Sequence, residues 1–290
     1  MQTEVVKPVV GIDPRVGSVS HALQALRAIV MREVLKFVQQ RGRLLSALVR
    51  PVLWLAVFAA GFRNVFGVAI VEPYDTYIPY DVYIAPGLIG MVLLFNGMQS
   101  SLAMVYDREM GLMRLLLTAP LPRWWLLFAK LCATALLSFL QVVAFVIVAA
   151  LIGTSLPLAG WSLLHALLAT LAAALMLASL GLLLSVYVKQ LENFAGTMNF
   201  VIFPMYFLST ALYPLWKLEE SGATWVYRVA QFNPFTHAVE WIRFALYGKD
   251  PGLAPWVVLA TLAVCFTLAC WGYDPQRGFG GLTKRGEGPA

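Results

Sequence analysis

The sequence predicts an all-α membrane protein with six transmembrane helices, from three observations. Six stretches, at 48–67, 83–105, 125–152, 161–187, 194–213 and 254–272, are predominantly apolar. Each is long enough to cross a hydrocarbon core about 30 Å thick, which takes about 20 residues of helix. The composition agrees: 60% of the 290 residues are hydrophobic and only 12% are charged, where soluble domains carry about 25% charged residues. Finally, the basic residues are sorted by position. Of the 21 Lys and Arg, 16 fall in 1–50, in 106–130, at Lys189 or after 273, whereas the loop 68–82 carries Glu72, Asp75 and Asp81 with no Lys or Arg. Positive loops stay in the cytoplasm, so both termini are expected inside and the 68–82 loop outside. Basic residues strung along membrane boundaries do not form the separate patch that a nucleic acid would need.

Taken in order, residues 1–19 are expected to be a flexible cytoplasmic N-terminus. The first 40 residues lack the apolar core and small-residue cleavage site of a signal peptide, so the first span is expected to be an uncleaved anchor. Over 20–47 an amphipathic helix is expected. Leu23, Leu26, Val30, Val34 and Phe37 recur at helical spacing, with Arg32, Lys36, Gln39, Gln40 and Arg43 on another face. Such a helix either lies flat in the headgroup region or packs on a soluble partner. The spans occupy 48–272. Asn96, Gln99, Ser100 and Ser101 make an unusually polar patch in the second, Gln141 and Asn199 add polar side chains to the third and fifth, and Asn193 lies just before the fifth. They either line a route for cargo or bond between helices, for about 0.6 to 2 kcal/mol each.

The loop after span two, Tyr106 to Arg123, is the most charged short loop of the membrane domain. Met110, Met113 and Leu117 share a helical face, and Pro120 and Pro122 end the segment. It is expected to be a short helix on the cytoplasmic surface. Ala166, Thr170, Ala174 and Ala178 form a small-residue stripe in span four, suited to close helix packing within a subunit or between copies. Pro204 is expected to interrupt span five. Beyond it, 213–250 is aromatic and amphipathic, with a break at Asn233-Pro234, and predicts one or two short helices dipping into the outer leaflet. Residues 273–290 are expected to be an unstructured cytoplasmic tail.

Several chemistries are missing from these residues. No Gly-x-x-x-x-Gly-Lys-Ser/Thr phosphate loop occurs, so the chain is not expected to be an enzyme or to bind ATP itself. No metal-ligand spacing or catalytic serine context stands out. Cys132, Cys265 and Cys270 read as buried apolar residues, and His165, alone in its span, as a packing or interface residue. Carriers coupled to ions place charges near mid-membrane, yet every Asp and Glu here falls in a loop or at a span end. That weighs against an ion-coupled carrier and leaves two other classes: a conduit powered by another polypeptide, or a non-transporting anchor subunit of a redox or biosynthetic complex.

The segment Tyr106-Asp-Arg-Glu-Met-Gly-Leu-Met-Arg-Leu-Leu-Leu-Thr-Ala-Pro-Leu-Pro-Arg-Trp-Trp-Leu-Leu-Phe-Ala-Lys130 resembles the cytoplasmic loop of type-2 ABC exporter permeases. Phe207-Leu-Ser-Thr-Ala-Leu-Tyr-Pro214, followed by Phe232-Asn-Pro-Phe-Thr-His237, is similar to that family's outer-leaflet re-entrant segment, and Tyr83-Ile-Ala-Pro-Gly-Leu-Ile-Gly90 to its approach into span two. The likeness covers nearly the whole chain, and drug-resistance and nodulation-factor exporters are the relatives it suggests. It implies a half-transporter of a bacterial cytoplasmic membrane, acting as a dimer with a second copy or a close paralogue. Two cytoplasmic ABC ATPase subunits would supply the ATP and Mg chemistry, with no cofactor on this chain. It further implies a connecting helix at 20–47 and a coupling helix at about 108–119, with Asp107, Arg108, Glu109, Gly111, Arg114 and Pro120 at the ATPase contact. Pro214, Asn233, Pro234 and His237 would mark the outer re-entrant segment.

Overall fold

A computed structural model describes residues 19–39, 41–62, 67–68, 72–111, 122–154, 156–157, 160–188 and 190–273. Ten helices follow one another among these residues: α1 Val19–Gln39, α2 Arg41–Phe62, α3 Tyr80–Glu109, α4 Arg123–Ile152, α5 Gly160–Tyr187, α6 Leu191–Phe207, α7 Leu215–Glu220, α8 Thr224–Phe232, α9 Pro234–Leu246 and α10 Ala254–Gly272. Two short strands, β1 Gly67–Val68 and β2 Ile78–Pro79, pair antiparallel ahead of α3. Nothing in the sequence pattern pointed to that pair.

Four helices, α3, α4, α5 and α10, are long and apolar enough to cross a membrane. Of the stretches expected as spans one and five, 48–62 and 194–207 are helical, and 208–213 form a turn. In α2 the apolar part is Val49–Phe58, and α6 has 17 residues, at the short end of what spans a bilayer. The first helix ends at Gln39 and α2 begins at Arg41, so 41–47 belong to α2 and not to the preceding amphipathic helix. Hydropathy marks where an apolar run begins, and a helix can start earlier. Pro204 does not interrupt α6, which continues through it to Phe207. Its missing N–H costs one bond three residues before the helix ends.

The centre of the bundle is α3. Every residue from Asp81 to Leu94 is buried, and the helix packs against α2, α4, α5, α6 and α9. Its closest neighbour is α5. A Cβ on Gly97 would sit 3.1 Å from the Leu177 carbonyl, and one on Gly181 would sit 2.9 Å from the Gly97 carbonyl oxygen. The stripe Ala166, Thr170, Ala174, Ala178 is buried along α5, so these small residues serve packing within the subunit. By contrast α10 leaves Trp256 and Trp271 exposed.

The segment between α6 and α10 folds back onto α3. A Cβ on Gly87 would lie 2.3 Å from the Ala211 carbonyl oxygen, and one on Gly90 would lie 2.9 Å from both the Phe235 and Val239 side chains. Only bare backbone lets the 208–214 turn and α9 approach so closely. The hydroxyls of Tyr80 and Tyr83 donate to the Leu212 and Thr210 carbonyls at 2.6 and 3.1 Å. Asn233 joins two helices: its Nδ2 donates to the Met205 and Leu208 carbonyls at 2.8 Å each, and its Oδ1 caps α9 by accepting from Phe235 N at 3.0 Å.

Candidate functional site

At its far end α3 runs on past Val105 into three consecutive charged residues, Asp107-Arg108-Glu109. Successive side chains leave a helix about 100° apart, so three in a row point to three sides. Asp107 faces α1 and α4. Its Oδ2 accepts from Arg32 Nη2 at 2.7 Å and from Lys130 Nζ at 3.5 Å, and its Oδ1 accepts from Lys36 Nζ at 3.2 Å. Arg108 faces the end of α5, donating from Nη1 to the Ser185 carbonyl at 3.0 Å and from Nη2 to the Val188 carbonyl at 2.8 Å. Carbonyls at a helix C-terminus lack intrahelical partners and favour a cation. Glu109 faces the start of α6, where its Oε1 accepts from Leu191 N at 2.8 Å, one of the amides that every helix N-terminus leaves open. Three residues therefore hold four helices, α1, α4, α5 and α6.

Charge at this junction is unequal. The Asp107 carboxylate is 4% exposed and Lys130 13%, while Arg32 and Lys36 are about one-third exposed. Glu33 lies 3.7 Å from Arg32, leaving two carboxylates against three cations. A cavity of about 20 Å³ beside Asp107, lined by Glu33, Ser100, Lys130 and Thr134, has room for about one water. Burial pushes the phenol of Tyr273, just past α10, above its ordinary range, against the opposing pull of Arg108 and Arg123.

Two residues past the end of α3, Gly111 takes φ +73° and donates its N–H to the Arg108 carbonyl at 3.1 Å. This is the left-handed region that glycine enters without strain. Asp107 and Arg108 are turned inward, whereas Tyr106, Glu109 and Met110 are exposed. Arg114 and Pro120, with most of the expected 108–119 helix, lie outside the described residues. Pro122 caps the start of α4. The α1 helix lies against α4, with Trp125 Nε1 donating to the Ala22 carbonyl at 3.0 Å. Ile29 and Phe37 are buried, but Leu23, Met31, Leu35 and Val38 stay exposed. The side chain of Arg43 lies outside the described residues.

The polar residues expected along a route separate into two groups. Asn96 donates to Ser138 Oγ at 2.6 Å, Ser100 pairs with Thr134 at 2.6 Å, and Ser101 donates to the Gly97 carbonyl. Gln141 is also buried, on α4, and neither of its polar atoms has a partner among the described residues. Gln99 is half-buried on α3. This first group is interior to the bundle. Asn193 and Asn199 instead lie on the exposed side of α6. A cleft of about 260 Å³ opens there between α2, α3 and α6, lined by Arg50, Trp54, Phe95, Asn199, Phe203 and Tyr206. Arg50 sits over the Phe95 ring at 3.8 Å, a cation–π contact. In the segment after α6, Pro214 caps α7, Pro234 opens α9, and His237 Nε2 meets the Gln231 carbonyl at 2.9 Å.

Sequence reasoning picked out Asp107 to Glu109 but not their partners. Lys130, the lone charge in the third apolar stretch, and the cationic face of the amphipathic helix were the available signals. Arg243 carried none: it is 2% exposed, and its Nη2 donates to the Thr210 carbonyl at 2.8 Å.

Residues 24–247 match the family model described as ABC-2 type transporter. The chain is also 30% identical over 246 residues to a protein of Porphyra purpurea named as a transport permease, ycf38, covering 84% of this chain and 81% of that one. Proteins of the same name from Pyropia yezoensis and Cyanophora paradoxa are each 29% identical, covering 78% and 80% of this chain and 75% and 77% of theirs.

Proposed function

The chain belongs to the ABC-2 type transporter family, and on that premise we propose that it is the permease subunit of an ATP-driven exporter. In this reading six helices cross the cytoplasmic membrane of a bacterium, α2 and α6 completing the four long ones, with both termini inside. Two such subunits, identical or closely related, enclose the route. Two cytoplasmic ABC ATPase subunits bind and hydrolyse ATP with Mg²⁺, and this chain supplies no catalytic group. The exposed apolar residues of α1 rest in the headgroup layer. The α7–α9 segment dips into the outer leaflet, and the cleft at Asn199 lies beside the route.

The observation that carries the reading is the junction at 107–109. A partner pressing on the loop after Gly111 acts on the end of α3, and α3 is bonded there to α1, α4, α5 and α6 through side chains. Force at one loop therefore reaches five helices as a rigid-body motion. Asp107 and Arg108 serve this by transmission, and Glu109 and Met110 by offering exposed surface to the ATPase. An ion-coupled carrier finds less support, because the acidic residues of the long helices, Asp81, Asp107 and Glu109, all sit at the ends of α3.

Affinity purification from native membranes tests the proposal. A polypeptide with a phosphate loop is expected to co-purify, and Met110→Asp is expected to lower its recovery at least tenfold with insertion intact. Recovery of a stable complex lacking any nucleotide-binding partner would instead support the anchor-subunit alternative. A single cysteine at Met110, in a background without the three natural ones, is expected to react only from the cytoplasmic side.

A further inference from the structure

The other end of the molecule holds a cavity that nothing in the coupling scheme uses. It measures about 160 Å³, and its walls include Glu72, Tyr74, Tyr83, Trp216, Glu240 and Arg243. Three of these lining residues each carry a buried donor with no partner among the described residues: the Tyr74 hydroxyl, the Trp216 indole N–H and the Arg243 Nε–H. Tyr74 is 4% exposed and Arg243 2%. Burial raises the Tyr74 phenol well above its ordinary range, with Arg243 pulling the other way, so it keeps its proton. Both terminal nitrogens of Arg243 are engaged within the fold. Nη2 binds the Thr210 carbonyl, Nη1 pairs with Glu240, and the guanidinium lies 4.2 Å over the Tyr83 ring. Buried donors are normally satisfied, and three unsatisfied ones around one cavity call for a group rich in acceptors.

Charge narrows the chemistry. Arg243 is neutralised by Glu240, and Glu72 adds a further negative charge, so the lining as a whole repels phosphate, sulfate or carboxylate. Cations are disfavoured by the three donors. What fits is neutral, accepts several hydrogen bonds, can give one to Glu72, and has an apolar face for the rings of Tyr74, Tyr83 and Trp216. A sugar ring meets all four conditions. We propose that this cavity binds a neutral glycosyl group, either as a free sugar or as the headgroup of a glycolipid in the adjoining leaflet. The site goes beyond the coupling reading, and equilibrium binding tests it without transport or ATPase.

The full chain in phosphatidylcholine nanodiscs, doped equally with monogalactosyl diacylglycerol and phosphatidylglycerol, provides the assay, with retained lipid read by native mass spectrometry and methyl β-glucoside added as competitor. Wild type is expected to retain the galactolipid at least tenfold over phosphatidylglycerol. Tyr74→Phe, which deletes one unpartnered hydroxyl and no shape, is expected to lower that preference about tenfold without lowering the unfolding temperature. Glu72→Gln is expected to lower it about threefold. If Tyr74→Phe fails to fold, Trp216→Phe tests a second donor in the same way. Displacement by methyl β-glucoside identifies the sugar itself as sufficient, and retention of the galactolipid alone identifies the lipid-borne headgroup as the source. Preference for phosphatidylglycerol, no retention of either lipid, or equal retention by wild type and Tyr74→Phe would overturn the assignment.

Discussion

At the Tyr80 end of α3 the neighbours are held by bare glycine surfaces and capped backbone carbonyls, whereas at the Glu109 end they are held largely by charged side chains. Gly87 and Gly90 admit Ala211, Phe235 and Val239 to within a distance no other residue allows, and Asn233 fastens α6 to α9 through their backbones. Such contacts exist in one register only. At Asp107 three cations reach one carboxylate over distances from 2.7 to 3.5 Å, and those long side chains can follow a moving helix or exchange places. One helix thus has an end built for fixed shape and an end that can rearrange under load. Under the proposed coupling, in which α3 receives motion on one side and anchors the fold on the other, this division is the expected one.

The largest effect is expected at the adaptable end. Asp107→Asn leaves Arg32, Lys36 and Lys130 facing one another without their anion, and breaking a buried ion pair on one side costs about 3 to 5 kcal/mol. Chemical unfolding in detergent should show it. Because Arg32 and Lys36 are partly exposed, raising the salt should recover part of the loss, and adding Lys130→Met should recover more. At the shaped end, Gly87→Val is expected to cost about 1 to 3 kcal/mol. Its Cβ meets backbone, which cannot swing aside, and salt should recover none of the loss. A salt-dependent Gly87→Val, or an Asp107→Asn indifferent to salt, would erase the distinction between the two ends. Smaller again, Asn233→Ala removes one helix cap, for about 1 to 2 kcal/mol, and leaves the Met205 and Leu208 carbonyls without its amide.

The two ends also differed in how far the sequence disclosed them. The long helices were legible because each needs only a local property, an apolar run of sufficient length. Asn233-Pro234 was legible as a break because a cap followed by proline is a local signal. Asp107 to Glu109 stood out as charges at a span end, but their partners lie 23 to 82 residues away and no spacing in the chain encodes such a pairing. The same holds for Gly87, whose meaning appears only once Ala211 is beside it. Arg243 reads in the sequence as an ordinary residue of an amphipathic stretch, and its burial depends on Glu240, Thr210 and Tyr83 arriving together. The start of α2 at Arg41, ahead of the apolar stretch from 48, was not legible because hydropathy reports lipid contact and not helix boundaries.

The smallest expected effect on stability separates transmission from contact. Glu109 accepts the Leu191 amide through one carboxylate oxygen and is exposed. Glu109→Gln keeps an oxygen in the accepting position and removes only the charge, so unfolding should change by less than about 0.5 kcal/mol, as for other exposed substitutions. If Glu109 acts solely by positioning α6, recovery of the ATPase should be unchanged in this variant, whereas Glu109→Ala, which deletes the acceptor, should lower recovery. If the carboxylate itself meets a basic residue on the ATPase, Glu109→Gln should lower recovery nearly as much as Glu109→Ala, and by more at low salt than at high, since an exposed ion pair is screened. Transport by Glu109→Arg at the wild-type rate would remove Glu109 from both roles and leave Asp107 and Arg108 as the residues that tie α3 to its neighbours.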